Sequence, residues 1–255
     1  MSRTTLVLLH PFPLDAGFWE PVVERFADER PIVTPDFPGH GHAPPDPAPT
    51  IDGFADRVAD RISMEEGGVA VVCGSSMGGY VALSLAARHA PLVAGLALVG
   101  TRAEADSADG RATRVANAAR IRRYGVAGFL DDFTPGLVAT GATRAASRAR
   151  TLADRQPGEV LARTLEALGA RPDRRAALAG IEAPTLVAVG EEDTLTPPAA
   201  AEALAAGIPG ARLRRMPGSG HLVSLERTSE FCDLLAGLLA QVDSGGSPQR
   251  PRERR

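Results

Sequence analysis

Short apolar runs of strand length alternate with longer helical patterns along most of the chain. The apolar runs cover residues 5–9, 31–34, 69–72, 96–99, 185–189 and, more weakly, 212–216. Strands that are apolar throughout and separated by helices are typical of a parallel sheet covered on both faces. The sequence therefore predicts an α/β fold with a mostly parallel sheet of about six strands flanked by helices.

Apolar residues that recur on one face predict helices between these runs. The segment from about 52 to 66 carries such a face, with Phe54, Val58 and Ile62 at four-residue spacing. The last helix has a longer apolar stripe of Phe231, Leu234, Leu235, Leu238 and Val242. Another helix begins near Met77 and is closed by Pro91. Thr196, followed by two prolines, is interpreted as the capping residue of a further helix.

The alternation of strands and helices breaks once, between residues 103 and 180. This stretch has no convincing strand, only helical segments that are rich in Ala and Arg and interrupted by glycines. We predict a helical lid, inserted after the fourth strand and lying above the site. The alternative is a set of helices packed on the side of the domain. The predicted division is a core of residues 1–102 and 181–243, a lid of 103–180 and a disordered polar tail of 244–255.

Size, charge and cysteine content narrow the class of protein. With 255 residues, 44% of them hydrophobic, the chain can bury one sizeable core. A net charge of −3 gives no reason to expect a nucleic-acid or membrane partner. Cys73 and Cys232 lack the spacing of a metal site and are expected to be small buried side chains. No secretory signal or membrane-spanning run is visible, so a cytoplasmic location is expected.

Residues 74–78 (Gly-Ser-Ser-Met-Gly) lie between an apolar run and a helical pattern. They fit G-x-S-x-G only with Ser76 at the centre, because centring on Ser75 would put Cys73 and Met77 where glycines are needed. A sharp turn from strand to helix strains the serine backbone and lifts its hydroxyl clear of the sheet. Ser76 is the predicted nucleophile, and the amide of Met77 at the start of the helix is a predicted oxyanion donor.

A serine hydroxyl needs a general base, and the chain has only five histidines. In this architecture the nucleophile precedes the acid, and the acid precedes the histidine, so only His89 and His221 are in the right part of the chain. His89 lies at the far end of the helix that begins at the serine, which is too distant. The predicted base is therefore His221, in the loop of residues 217–222 between the last strand and the last helix.

The acid that orients the histidine is expected directly after the strand at 185–189. Glu191, Glu192 and Asp193 all follow that strand. Asp193 is favoured because its short side chain can accept the ring N–H of His221 while the turn at 194–198 holds it in place. Glu191 and Glu192 are interpreted as solvated loop charges.

The loop after the first strand, residues 10–15 (His-Pro-Phe-Pro-Leu-Asp), is expected to supply a second oxyanion donor. Phe12 has a backbone N–H at the expected position, whereas Pro11 and Pro13 have none. The two prolines also stiffen the loop, which suits a preorganised donor. The ring of Phe12 either lines the pocket or belongs to the core.

With these motifs the chain resembles an α/β-hydrolase of the lid-bearing type. The resemblance covers nearly all of residues 4–242 and runs in the family's order through residues 10–15, 36–42 (Asp-Phe-Pro-Gly-His-Gly-His), 74–78, 190–193 and 220–221. Within that family, the 74–78 turn and residues 101–106 resemble small bacterial esterases of the 3-oxoadipate enol-lactonase type.

The chain departs from the family pattern in two places. It has His10 followed by Pro11 where the family usually has His-Gly, which leaves the amide of Phe12 in place. Too few residues precede the first strand for the family's N-terminal hairpin, so six strands, all parallel, are expected. The family's strand order then implies that the run at 31–34 is an edge strand, with Pro31 and Pro35 protecting it.

The resemblance implies a serine hydrolase that cleaves a small-molecule carboxylic ester or lactone without a metal or organic cofactor. Ser76 forms the acyl-enzyme, His221 is the base and Asp193 the orienting acid, with an oxyanion hole at the Phe12 and Met77 amides. Thioesterase, carbon–carbon bond hydrolase and perhydrolase activities remain open on the same residues, as does a small-ligand receptor with a vestigial triad.

The lid composition bears on the substrate. A lid rich in Ala and Arg is compatible with a small and anionic acid portion or leaving group. Six arginines lie where they can approach an acid, although most are expected on a solvated helix face: Arg102, Arg111, Arg114, Arg120, Arg122 and Arg123.

Overall fold

The computed structural model describes residues 3–245 of the chain. They form one sheet of six strands in the order β2-β1-β3-β4-β5-β6, and every neighbouring pair is parallel. The strands are β1 (Thr5–Leu9), β2 (Ile32–Val33), β3 (Ala70–Ser75), β4 (Val93–Val99), β5 (Thr185–Gly190) and β6 (Arg212–Met216). The predicted α/β class and six-stranded parallel sheet are confirmed.

Helices surround this sheet. Those within residues 3–245 are α1 (Glu20–Phe26), α2 (Ile51–Ser63), α3 (Met77–Arg88), α4 (Ala108–Tyr124), α5 (Ala127–Phe133), α6 (Thr143–Ala153), α7 (Gly158–Gly169), α8 (Pro198–Gly207), α9 (Val223–Glu226) and α10 (Thr228–Gly245). Helix α3 packs against β1, β3 and β4, with α2 beside it, while α10 packs against β4 and β5. No helix in the described part of the chain is long and apolar enough to span a bilayer.

The four inner strands carry the core. Every residue of β1, β3, β4 and β5 is buried, as expected for strands with helices on both faces. The two edge strands differ from them. β2 has only two residues and lies at one edge, as predicted, while β6 is rich in exposed arginine at the other. Short length and charged side chains both discourage pairing with another chain.

One predicted helix start was wrong. Helix α8 begins at Pro198 with Pro197 as the N-cap residue, and no side chain caps it. If Thr196 were the cap, Pro198 at the second helical position would have no N–H to donate, which leaves only the third helical residue as a donor for Thr196. Its hydroxyl instead donates to Oδ2 of Asp193 at 2.6 Å.

A helical insertion, residues 103–180, separates β4 from β5 and contains α4 to α7. The two strands that flank the helical insertion are direct neighbours, with Leu96 paired to Thr185. Helices α4 and α7 pack against each other. Ser244 and Gly245, the first residues of the predicted tail, end α10, and residues 246–255 lie outside the described residues.

Candidate active site

Ser76 lies at the turn from β3 into α3 and has a strained backbone. Its φ of 50° makes it the one non-glycine residue with positive φ between residues 3 and 245. Such a conformation costs on the order of 1–3 kcal/mol and is typically retained at functional sites. The turn is also tight: a Cβ on Gly74 would lie 2.2 Å from the carbonyl oxygen of Gly78, and one on Gly78 would lie 2.1 Å from that of Leu9. Only glycine fits at both positions.

His221 and Asp193 are hydrogen-bonded to each other. Nδ1 of His221 lies 2.8 Å from Oδ2 of Asp193. Because a carboxylate only accepts at neutral pH, the ring proton is on Nδ1 and the lone pair is on Nε2. Nε2 has no hydrogen-bond partner among the residues that the structure describes. The ring therefore has one nitrogen fixed by the acid and the other able to accept a proton.

The Asp193 carboxylate takes part in four hydrogen bonds with residues that the structure describes. Oδ1 accepts the backbone N–H groups of Leu195 and Thr196, both at 2.9 Å, and Oδ2 accepts the Thr196 hydroxyl as well as His221. Burial raises the pKa of Asp193, but the hydrogen bonds from His221 and Thr196 outweigh it and leave the pKa below its usual value. The carboxylate stays ionised at neutral pH and can stabilise a positive charge on the ring. Glu191 and Glu192 are exposed.

Ser76 and His221 line the same cavity, which has a volume of about 280 Å³. This is near the lower end of the range of about 300–1,000 Å³ for ligand pockets and suits a small molecule. The Ser76 hydroxyl makes no hydrogen bond with His221 or with any other group in residues 3–245. Such bonds are often long in unliganded enzymes and shorten when a substrate is bound. Residues of both the core and the helical insertion line the cavity.

The backbone amides of Phe12 and Met77 face no acceptor within residues 3–245. Met77 is the first residue of α3, where an N–H has no partner inside the helix. Both residues line the cavity together with Ser76. The ring of Phe12 is 4% exposed and packs on Phe129 and Phe133 of α5, with centroids 6.2 and 5.8 Å away. It therefore lines the pocket and belongs to the core.

Three glycines lie near the His221–Asp193 pair, and one of them, Gly100, was not singled out from the sequence. Gly100 follows β4 with φ of 52°, and a Cβ there would lie 3.3 Å from both Oδ2 of Asp193 and Nδ1 of His221. A Cβ on Gly190 would lie 2.0 Å from the carbonyl oxygen of Gly220. The available signal was a glycine directly after an apolar strand, at the sheet edge where the site residues cluster.

A buried ion-pair cluster forms one wall of the same cavity. The side chain of Asp106 is 2% exposed and pairs with Arg102 at 3.0 Å, with Arg171 at 2.7 Å and with Arg114. Burial raises the pKa of Asp106, but Arg114 and Arg171 outweigh it and lower the pKa below its usual value. The Arg171 guanidinium also lies 4.2 Å above the ring of Tyr80. Arg102 and Arg114 were among the arginines expected near an acid, but the buried carboxylate that binds them was not expected from the sequence.

The remaining buried histidines are held neutral. His40 donates from Nδ1 to the carbonyl of Leu14 at 3.0 Å, and Nε2 accepts the hydroxyl of Thr164 in α7 at 3.1 Å. Burial, together with the nearby ring of His10, lowers the pKa of His40 to about 3. Burial also lowers the pKa of His10. His89 is not among the buried histidines, and it lies 2.7 Å from Asp56 of α2.

Metal and thiol chemistry have few candidate residues. No group of three or more His, Cys, Asp or Glu side chains within residues 3–245 is arranged to hold a metal ion. Cys73 and Cys232 are both buried and unpaired. Burial raises the pKa of each thiol, that of Cys232 to about 11, so neither is a thiolate at neutral pH.

Comparison with known proteins agrees with this architecture. The sequence profile of the alpha/beta hydrolase family matches residues 6–234. The chain belongs to this family. Among its members, the chain is 35% identical to a pimeloyl-[acyl-carrier protein] methyl ester esterase of Aromatoleum aromaticum, over 92% of this chain and 98% of that protein.

Solved structures of alpha/beta hydrolases match over nearly the whole chain. A thermophilic esterase from Thermogutta terrifontis, solved with malate bound, superposes with a TM-score of 0.91 at 31% identity, covering 95% of this chain and 91% of that one. An enol-lactonase from Burkholderia xenovorans superposes with a TM-score of 0.86 at 27% identity, covering 94% and 92%. The chain is a member of the alpha/beta hydrolase family, and the predicted resemblance to enol-lactonase-like esterases is confirmed.

Proposed function

We propose that this alpha/beta hydrolase cleaves small carboxylic esters or lactones through an acyl-enzyme on Ser76. One observation carries the proposal. Ser76, which has a strained backbone, lines a cavity of about 280 Å³ together with His221. Nδ1 of His221 is hydrogen-bonded to the buried carboxylate of Asp193. The names of two relatives, a methyl ester esterase and an enol-lactonase, favour an ester or lactone over a thioester.

The reaction follows from the properties of these groups. Nε2 of His221 takes the hydroxyl proton of Ser76 as the oxygen attacks the carbonyl carbon, and Asp193 stabilises the imidazolium that forms. The ring then protonates the leaving alcohol. Water, activated by the same nitrogen, attacks the acyl-enzyme and releases the acid. The two steps consume one water and leave His221 neutral at the end of the cycle.

The tetrahedral intermediate carries a negative charge on the former carbonyl oxygen. The amides of Phe12 and Met77 are the donors we assign to this oxyanion, since both line the cavity and neither is used elsewhere in the described residues. Each donor of this kind contributes about 3–4 kcal/mol to stabilising the transition state. Backbone amides need no reorientation during the reaction because the helix start and the proline-flanked loop hold them.

Covalent labelling with a fluorophosphonate tests the assignment of the nucleophile. We expect the protein to be labelled at residue 76, and Ser76→Ala to abolish both labelling and hydrolysis of p-nitrophenyl butyrate. Ser75→Ala is the matched control. The Ser75 side chain is buried with no hydrogen-bond partner among residues 3–245, so its removal should leave labelling intact.

Two results would count against the proposal. Labelling that survives in Ser76→Ala would assign the nucleophile to another residue. Binding of an ester without turnover in the unmodified protein would instead favour a receptor that retains the triad.

A further inference from the structure

We propose that Arg102 and Arg114 form a carboxylate-binding site inside the cavity that contains Ser76. The substrate would then be an ester that carries a free carboxylate in the same molecule. This inference rests on the proposed function, because it assumes that the scissile ester lies at Ser76. It also makes a binding prediction that does not depend on turnover.

The cluster around Asp106 carries surplus positive charge. A single carboxylate faces three guanidinium groups, and no second carboxylate in the described chain lies within ion-pair distance of Arg102 or Arg114. Arg171, whose side chain is 2% exposed, is enough to balance the buried charge of Asp106. Arg102 and Arg114 therefore leave surplus positive charge on the cavity wall. Positive charge on a low-dielectric wall attracts anions.

Arg102 and Arg114 have hydrogen-bond donors that no group in residues 3–245 accepts. Arg102 contacts Asp106 through Nη2, and Arg114 contacts it through Nε. Nη1 of Arg102 and both Nη atoms of Arg114 have no acceptor within residues 3–245. Nε of Arg102 is buried and also without a partner. Unpaired donors at a partly buried site are unfavourable, and a carboxylate satisfies two guanidinium N–H groups at once.

These donors lie on the wall of the cavity that contains Ser76. The side chains of Arg102 and Arg114 are 31% and 22% exposed, and both line the cavity with Ser76. Thr113 and Asn117 present polar groups from the same helix. The rest of the lining is mainly apolar: Phe12, Met77, Phe133, Leu165, Leu168 and Leu195. This arrangement fits a short hydrocarbon chain with a carboxylate at one end and an ester at the other.

Two matched pairs of esters test the proposal. Monoethyl adipate and ethyl hexanoate differ in having a terminal carboxylate or a methyl on the acid portion. In the second pair, 3-(butyryloxy)propanoate and propyl butyrate, the same difference is on the alcohol. We expect the charged ester of at least one pair to have the higher kcat/KM. Raising the ionic strength should reduce that advantage.

Arginine variants show whether the advantage comes from this site. Arg114→Gln and Arg102→Gln should each lower kcat/KM for the charged ester by about 10- to 100-fold and change that of its neutral partner by less than about threefold. Asp106 keeps Arg171 in both variants, so the fold should be retained. Arg123→Gln is the control, since Arg123 is exposed on the same helix and lies outside the cavity lining.

A separate measurement distinguishes this inference from the proposed function. Calorimetry with adipate and Ser76→Ala should detect binding that is at least about tenfold weaker when Arg114→Gln is added. If neutral esters are hydrolysed through Ser76 but neither pair shows a charge preference and adipate does not bind, the carboxylate site is excluded and the proposed function stands. If adipate binds through Arg114 but Ser76→Ala leaves hydrolysis unchanged, the proposed function is excluded and the carboxylate site stands.

Discussion

At the scale of single residues, Thr196 has a larger role at the site than its position before two prolines indicates. Its amide and its hydroxyl both donate to the carboxylate of Asp193, one to each oxygen. The hydroxyl also lies 3.2 Å from Nδ1 of His221. Thr196 therefore fixes the orientation of the carboxylate and lowers its pKa. We regard it as a positioning residue.

Replacing Thr196 with valine tests this role, because valine keeps the shape and removes the O–H donor. We expect kcat for p-nitrophenyl butyrate to fall about tenfold, or about 1.4 kcal/mol in barrier, since Asp193 is less firmly oriented and less stabilised as an anion. Thr194→Val is the control, because Thr194 is exposed two residues away. An equal loss in both variants would mean that the loop, not the hydroxyl, matters.

At the site, the sequence was most informative where residues follow a fixed spacing or order. The glycines around Ser76 predicted the tight turn that the structure has, and His221 and Asp193, chosen by chain order and by the reach of the acid, are hydrogen-bonded to each other. The catalytic roles of these residues stay predictions. No sequence pattern predicted Arg171, which lies 65 positions after its partner Asp106 in the chain numbering. Such a pair depends on how distant parts of the helical insertion pack against each other, which no local sequence pattern predicts.

At the scale of elements, one side chain ties the helical insertion to two core loops. Gln156, between α6 and α7, is 3% exposed. Its Nε2 donates to Oδ2 of Asp15 at 2.9 Å, and its Oε1 accepts the backbone N–H of Gly41 at 3.0 Å. Both loops belong to motifs that the sequence analysis singled out. The helical insertion is thereby held directly beside the loop that carries Phe12.

Gln156→Leu should therefore destabilise the protein. The change leaves a buried oxygen of Asp15 and the part-buried N–H of Gly41 without their partner, and we expect the free energy of unfolding to fall by about 2 kcal/mol. Urea denaturation measures this. Gln241→Leu makes the same replacement on the exposed side of α10 and should change stability by less than about 0.5 kcal/mol. Similar losses in the two variants would contradict this role of Gln156.

Strands and helices could be predicted from the sequence where apolar residues recur at a regular spacing. The inner strands stand out because they are apolar throughout, and β1 and β6 have the predicted bounds. β3 continues three residues beyond the predicted run, because Gly74 and Ser75 still pair with β4 although they are not apolar. Helix α4 gave little signal, since only Ala118 and Ile121 in it are buried. Its packing on α7 could not be inferred from periodicity.

At the scale of the whole molecule, buried neutral histidine makes stability depend on pH. The pKa of His40 is about 3 in the folded protein, against 6.5 for an ordinary histidine. Below pH 6.5 the unfolded chain binds a proton that the folded protein does not bind. This contribution to stability is thus complete above pH 6.5 and is lost progressively as the pH falls towards 3.

The expected loss between pH 7 and pH 5 is about 2 kcal/mol from His40. It is measured as the difference between urea unfolding free energies at the two pH values. His40→Gln removes the titrating ring and should reduce that difference, whereas His42→Gln, at an exposed position in the same loop, should not. An unchanged pH dependence in His40→Gln would show that other groups are responsible.

The pairing of β4 directly with β5 has a consequence for how proteins of this design diversify. The chain leaves β4 and returns directly into its neighbour β5, so the helical insertion between them contributes no strand to the sheet. Ser76, Asp193 and His221 all lie outside the helical insertion. Exchanging the helical insertion for the corresponding segment of another family member should therefore give hybrids that keep these three residues in place and differ in substrate specificity.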